Sequence, residues 1–248
     1  MRKRTGFSLI ELLVVVAVIA VLVAILSPSL RRVVTLTRRM MCGANLRQYV
    51  IAMGSYLKNN DGIFPSCHSG GPVTVETTWI GALHPYAGGV ENLGRCPELH
   101  TPRIDYGVTW EWSFTGHHLG YGYNMWFLGG SHEPGRQNTY ADTRIPMVRD
   151  TRASSVRDAS TCMIFADSNP KTAGGADYGC TISLFWPLVN RYHEGVNGTR
   201  HDNAAAIVFV DGHAEIFRDP DNTINPPYDD SPFFLQYWDH LKRKSLWD

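Results

Sequence analysis

Two apolar patterns follow one another along the first 59 residues. From Leu9 to Leu26 every residue except Glu11 is apolar, and a basic tripeptide, Arg2-Lys3-Arg4, stands before this run. At a helical rise of about 1.5 Å per residue the run is roughly 27 Å long, near the minimum for crossing a bilayer. The pattern predicts a membrane-spanning helix.

Beyond Pro28 the apolar residues keep to one side of a helix. Spacings of three and four residues separate Cys42, Leu46, Tyr49, Met53 and Tyr56. Such spacings are typical of a helix with one buried face. The polar side of the same helix carries the basic residues Arg38, Arg39, Arg47 and Lys58. Gly62 offers a cap or turn that ends the helix near Asn59. We therefore predict one long helix over residues 7–59, whose part 7–28 spans the membrane.

The pattern after residue 62 is typical of short strands separated by glycine- and proline-rich turns. The predicted strands are Val73–Ile80, Tyr121–Phe127, Thr161–Ala166, Ala204–Val210 and His213–Phe217. The last two flank Asp211-Gly212, which predicts a β-hairpin with a two-residue turn. The fold class that follows is α+β: the long helix packs on an antiparallel sheet with long loops, in a head domain of residues 60–248.

The apolar N-terminal run has three ordinary interpretations. A secretory signal peptide has the same layout, but Ala24-Ile25-Leu26 is a poor cleavage site and the run is long. A plain membrane anchor leaves Glu11 unexplained, since a carboxylate near the membrane centre costs roughly 2.5–3.5 kcal/mol. A buried core helix rarely lacks a polar face over such a length.

A fourth interpretation accounts for the details. The segment Gly6-Phe7-Ser8-Leu9-Ile10-Glu11-Leu12 resembles the processing site of type IV prepilins and type II secretion pseudopilins. The resemblance implies that residues 1–6 are a leader, removed by cleavage between Gly6 and Phe7, and that the new amine of Phe7 is methylated. It also implies that Glu11 pairs with that amine in a neighbouring subunit, which suits a carboxylate buried in an apolar filament core. Pro28 lies where the family often has a helix-kinking proline.

The resemblance extends to a prepilin-like family with a C-terminal H-x9-DG motif. The segments that carry it include Cys42-Gly43-Ala44-Asn45-Leu46-Arg47-Gln48, Asp61-Gly62, Cys96-Pro97, Tyr121-Gly122-Tyr123-Asn124, and His201 followed by Asp211-Gly212. The role of His201, Asp211, Gly212 and the adjacent His213 is not fixed by this motif.

The resemblance implies a structural subunit rather than an enzyme, assembled into a type IV pilus or a type II secretion pseudopilus. The implied partners are copies of itself, a prepilin peptidase, the inner membrane and its assembly platform. The implied location is the bacterial inner membrane with the head in the periplasm, and then the filament. Basic residues flank both ends of the apolar run, with Arg31 and Arg32 after it. The orientation therefore rests on the processing motif and not on charge counting.

Charge and cysteines add two constraints. Lys+Arg and Asp+Glu both number 23, so no basic excess indicates a nucleic-acid partner. The five cysteines include no C-x-x-C pair, which gives little support to a zinc ribbon. In an oxidising compartment they would form two disulfides and leave one thiol. The candidate pairs are Cys162–Cys180 and Cys42–Cys96, although sequence alone does not fix the pairing.

One constellation in the C-terminal half has side chains suited to metal binding or acid–base chemistry: Asp167, His193, His201, Asp211 and His213. If Asp167 ends a strand and the hairpin turn lies beside it, these residues converge at one sheet edge. The favoured interpretation is turn and loop chemistry, with no catalytic residue, metal or cofactor. A structural Ca²⁺ is the alternative, with a second candidate place at Asp219, Asp221 and Asn222.

Two rival functions remain open. A minor or tip subunit would bind carbohydrate or secreted cargo through the tryptophans Trp79, Trp110, Trp112 and Trp126, although core packing is the more common role of such residues. A membrane-anchored metal-dependent hydrolase would use His201, Asp211 and His213.

Overall fold

The computed structural model describes residues 8–67, 69, 77–88, 96–97, 104–105, 108–109, 120–125, 127–130, 150–168, 170–173, 176–180, 183–184, 196 and 201–218. Only the backbone is described at 104–105, 108–109, 170–173, 176–180 and 183–184. Several predicted features lie outside these residues: Gly6, Phe7, His193, Asp219, Asp221, Asn222, Trp110, Trp112, Trp126 and the side chain of Cys180.

The elements begin with helix α1, Leu9–Asn59, of 51 residues. Helix α2 is Trp79–Leu83, and short 3-10 turns cover His84–Tyr86 and Ala153–Ser155. The strands are β1 Ile104–Asp105, β2 Val108–Thr109, β3 Tyr121–Asn124, β4 Met163–Asp167, β5 Pro170–Ala173, β6 Ala176–Cys180, β7 Ser183–Leu184, β8 Ala204–Phe209 and β9 Ala214–Arg218.

The main sheet has the order β7-β3-β4-β8-β9. The pairs β3–β4, β4–β8 and β8–β9 are antiparallel, and β7 joins the edge of β3 in parallel. Strands β4 and β8 are buried along their whole length, which places the centre of the sheet in the core. A long N-terminal helix with an antiparallel sheet confirms the predicted α+β class.

The chain divides into two compact units, Met1–Thr37 and Arg38–Asp248. In the second unit, the buried residues of α1 are Arg39, Cys42, Leu46, Tyr49, Ala52 and Met53. Within this set, Cys42, Leu46, Tyr49 and Met53 confirm the predicted apolar face, and Tyr56 is partly buried against it. Tyr49 packs edge-on against Trp79 at a ring-centroid distance of 5.3 Å, and Trp79 lies 4.7 Å from Phe165 of β4. The aromatic rings therefore join this part of α1 to the sheet.

Helix α1 ends where the sequence predicts. The amide of Gly62 donates to the carbonyl of Leu57 at 2.9 Å, beyond the last helical residue Asn59. Asp61 and Gly62 both have positive φ, 51° and 71°. A left-handed residue after a helix satisfies carbonyls that the last turn leaves open. Asp61 tolerates this conformation better than most residues with a Cβ.

Three local predictions differ from the structure. Trp79 and Ile80, predicted as the end of a strand, are helical in α2. This helix buries Trp79, Ile80 and Leu83 together, a spacing that one face of a helix allows and an alternating strand does not. The β8–β9 loop has three residues, not two: Phe209 pairs with His213, and Gly212 has φ +92°. A type I turn followed by a left-handed glycine gives this loop length. Arg39, predicted on the polar face, is only 7% exposed.

Candidate functional site

The N-terminal unit presents an apolar surface without cover from the described chain. Its large apolar residues between Leu9 and Leu36 are 40–79% exposed. Helix α1 is the one described helix long and apolar enough to cross a membrane. Contiguous apolar surface of this size marks contact with lipid or with other subunits. The first candidate functional surface is therefore this helix face.

At the start of α1, the amide of Ser8 donates to Glu11 Oε2 at 2.8 Å. Ser8 precedes the first helical residue, so Ser8-Leu9-Ile10-Glu11 matches the capping-box pattern, in which Glu reaches back to a free amide. The sequence carried this signal, and the prediction for Glu11 did not include it. A carboxylate accepts several hydrogen bonds. The cap therefore leaves capacity for a second, cationic partner.

Pro28 lies inside α1, and the residues on both sides of it remain helical. A proline removes one helical hydrogen bond. One residue later, the hydroxyl of Ser29 donates to the carbonyl of Leu26 at 2.7 Å. The carbonyl of Leu26 thus gains a side-chain donor close to the proline.

A second candidate site lies in the head and consists of Cys42, Cys96, Asp167 and His201, which we call the buried thiol cluster. One ligand atom from each residue lies within 4.8 Å of the others, and all four residues are 0% exposed. His201 Nε2 is 3.4 Å from Asp167 Oδ2 and 3.4 Å from Cys96 Sγ. The sulfurs of Cys42 and Cys96 are 2.9 Å apart.

Each member of the buried thiol cluster is positioned by a different segment. Cys42 belongs to the buried face of α1, and Asp167 is the last residue of β4. The amide of Ala206 in β8 donates to Asp167 Oδ2 at 2.7 Å, which fixes the carboxylate. His201 precedes β8, at a turn where Asp202 and Asn203 have φ of 58° and 54°. The cluster therefore depends on the packing of α1 against the sheet.

Burial and charge set the protonation of the cluster. Burial lowers the pKa of His201, but hydrogen bonds to Asp167 and Cys96 outweigh it and raise the pKa to about 9. Burial, then the neighbouring Cys96 and Asp167, raises the pKa of the Cys42 thiol far above its ordinary range. Without a bound cation the arrangement favours a thiol at Cys42 and an imidazolium paired with Asp167.

Arg39 contributes a buried cation next to this cluster. Its guanidinium Nη2 donates to the backbone carbonyl of His201. A buried cation requires hydrogen bonds and a compensating charge. Arg39 therefore supports the turn that carries His201, although the sequence pattern placed it opposite the apolar face.

The structure brings together only part of the predicted C-terminal constellation. Asp167 and His201 meet, whereas Asp211 and His213 form a separate pair, with His213 Nδ1 2.6 Å from Asp211 Oδ1. Strands β4 and β8 are antiparallel, so the amide of Val210 bonds to Cys162 at the start of β4. Asp167 stands at the other end of β4, roughly 16 Å away at the usual strand rise. The predicted convergence of Asp211 and His213 with Asp167 was therefore wrong, whereas Asp167 and His201 do meet.

The H-x9-DG residues thus lie in two places. His201 is in the buried thiol cluster, and Asp211 and Gly212 form the β8–β9 turn. His213 stacks on Phe209 with ring centroids 4.3 Å apart. Among the described residues, the geometry required by a hydrolase built on His201, Asp211 and His213 is absent. Trp79 is fully buried, so its ring is not available for a sugar.

The cysteine predictions have unequal outcomes. Cys42 and Cys96 are neighbours, as their predicted pairing requires, and that disulfide stays a prediction. Cys162 is buried next to the start of β4. Its predicted partner Cys180 has no described side chain, so that pair also stays a prediction. No spacing signal in the sequence indicated a four-residue cluster, because its members come from segments that are far apart along the chain.

Comparison with known protein families finds a match at the N-terminus. Residues 1–27 match the prokaryotic N-terminal methylation motif. Comparisons with curated proteins and with solved structures found no match. The motif and the exposed apolar helix support membrane anchoring and N-terminal methylation. Together with the α+β fold they support a type IV pilin-like precursor.

Proposed function

We propose that the protein is a structural subunit of a type IV pilus or a type II secretion pseudopilus. A prepilin peptidase cleaves between Gly6 and Phe7, and the amine of Phe7 is methylated. The inner-membrane assembly platform then extracts the helix from the membrane and stacks it against copies of the same chain. The head lies in the periplasm before assembly and on the filament surface afterwards.

The observation that carries this proposal is the apolar helix surface behind a methylation motif. Removing one large apolar side chain from water contributes about 1.5–3 kcal/mol of stabilising free energy. Even a partial covering of the exposed side chains between Leu9 and Leu36 is therefore comparable with the whole stability of a domain, about 5–15 kcal/mol. Lipid supplies this cover in the membrane, and neighbouring helices supply it in a filament.

Glu11 gives the assembly step its specificity. In the filament core its carboxylate needs a partner, because an isolated buried charge is strongly unfavourable. The methylated amine of Phe7 in a neighbouring subunit is a cation of the right sign, and it exists only after cleavage. Processing therefore creates the partner that fixes the register of one helix against the next.

The test is the intact mass and N-terminal sequence of the native chain isolated from its own membranes. We expect a chain that begins at a methylated Phe7. A chain that begins at Met1 would make the protein a plain anchor, and a start beyond about Ser27 would make the apolar run a signal peptide. Either of these outcomes contradicts the proposal.

A further inference from the structure

We propose that Cys42, Cys96, Asp167 and His201 bind a zinc ion as a closed structural site in the head. This site is separate from the proposed filament function, because it lies in the second compact unit and uses no residue of the exposed helix surface.

Two of the three distances given above between ligand atoms fit a tetrahedral zinc site. Zinc bonds are about 2.3 Å long to sulfur and about 2.0–2.1 Å long to nitrogen or oxygen. In a tetrahedral site, these bond lengths place a nitrogen ligand about 3.3 Å from an oxygen ligand and about 3.6 Å from a sulfur ligand. The corresponding distances here are both 3.4 Å, from His201 Nε2 to Asp167 Oδ2 and to Cys96 Sγ. The two sulfurs, at 2.9 Å, must separate by about 0.9 Å to reach the tetrahedral edge of about 3.8 Å. A χ1 rotation of roughly 30° at Cys42 or Cys96, about the width of one rotamer well, moves a sulfur this far.

The kinds of ligand select the metal. Two thiolates and one imidazole favour zinc and related transition metals over Mg²⁺ and Ca²⁺, which prefer oxygen ligands. The calcium ion considered from the sequence is therefore not the ion for this cluster. The structural setting also matters: all four ligands are fully buried, and a site closed to solvent leaves no open position for a substrate.

Charge balance supports a divalent cation. Two thiolates and the Asp167 carboxylate carry three negative charges, and a neutral His201 adds none. Zinc supplies two positive charges, and the buried guanidinium of Arg39, bonded to the carbonyl of His201, supplies the third. A site with zero net charge meets the requirement that charges buried in a core be compensated.

The bound ion would join separate segments of the head. Its ligands come from α1, the segment around Cys96, the end of β4 and the turn before β8. A Cys42–Cys96 disulfide would join only two of these segments, and it would remove both thiolates. The disulfide and the metal site therefore exclude one another, which makes the proposal testable by the state of the two sulfurs.

The experiment uses the full chain, purified in detergent under reducing and metal-free conditions and titrated with Co²⁺. We expect about one Co²⁺ per chain, an intense sulfur-to-cobalt charge-transfer band, and displacement of the cobalt by one equivalent of Zn²⁺. Cys42→Ser and His201→Gln should each weaken Co²⁺ binding by at least about tenfold. Cys67→Ser, the same change at a buried cysteine outside the cluster, is the control and should retain the band.

The wild-type spectrum keeps the test decisive if a ligand variant fails to fold. A reduced wild-type chain that binds no Co²⁺, or binds it without the sulfur band, overturns the proposal. Peptide mapping of the chain isolated from native membranes supplies an independent check. A Cys42–Cys96 disulfide there overturns the metal site, whereas free thiols with co-purified zinc support it.

Discussion

Residues 9–34 and residues 38–59 belong to the same helix, α1, but their side chains have different surroundings. Along the first segment every residue is exposed within the chain, while the second buries a stripe from Arg39 to Met53. The backbone geometry is common to both. What differs is the arrangement of apolar residues, which lie all round the helix from Leu9 to Leu26 and on one face in the second segment. The first pattern requires an apolar solvent or other subunits, and the second needs only a sheet.

Glu11 lies in the exposed segment, and the largest predicted effect tests its proposed contact with a neighbouring chain. Glu11→Ala should leave processing intact but strongly reduce filament yield, because removing one partner of a buried ion pair costs about 3–5 kcal/mol. Yield is measured from sheared filaments, and processing from the mass of the membrane-bound chain.

Glu11→Gln is the matched variant for that prediction. Glutamine retains the hydrogen bond from the Ser8 amide but carries no charge. We expect it to lose filaments as Glu11→Ala does. Wild-type yield in Glu11→Gln would show that Glu11 acts through the local cap, and wild-type yield in both variants would remove it from assembly.

The second prediction compares the same substitution in the two segments. Leu46 is fully buried and Leu22 is exposed within the chain. Leu46→Ala should lower the free energy of unfolding of the head by about 2–5 kcal/mol, through lost burial and a cavity. Leu22→Ala should change it by less than about 0.5 kcal/mol. Denaturant unfolding of the full chain in detergent, followed by tryptophan fluorescence, measures both. Equal effects would contradict the division of α1 into two surroundings.

The smallest predicted effects concern two glycines, one inside α1 and one just after its end. Gly54 lies inside the helix, with no atom within 4 Å of an added Cβ, and Gly62 follows the helix at φ +71°. Gly54→Ala should stabilise the head by about 0.5–1 kcal/mol, because alanine is the better helix former. Gly62→Ala should destabilise it by roughly 1–2 kcal/mol, because L residues are strained in that conformation. The same unfolding measurement checks the opposite signs.

The local pattern of apolar residues and turn residues was sufficient to predict much of the fold. The end of α1, the buried face through Cys42, Leu46 and Tyr49, and strands β4 and β8 depend on spacing and turn residues that the sequence displays directly. The pairing of β8 with β9 was also evident, although the loop length was not. That length depends on the left-handed conformation of Gly212, which allows a three-residue loop.

By itself, the sequence determined the apolar helix, its methylation motif, the α+β class and the hairpin, because each depends on residues that are close along the chain. Only the tertiary structure decided which polar residues meet. It placed Asp167 with His201, Cys42 and Cys96, and it placed Asp211 at the opposite end of β4. It also buried Arg39 beneath the turn at His201. The physical reason is strand direction and helix packing: an antiparallel register and the contact of α1 with the sheet determine these neighbours, and neither is visible in local spacing.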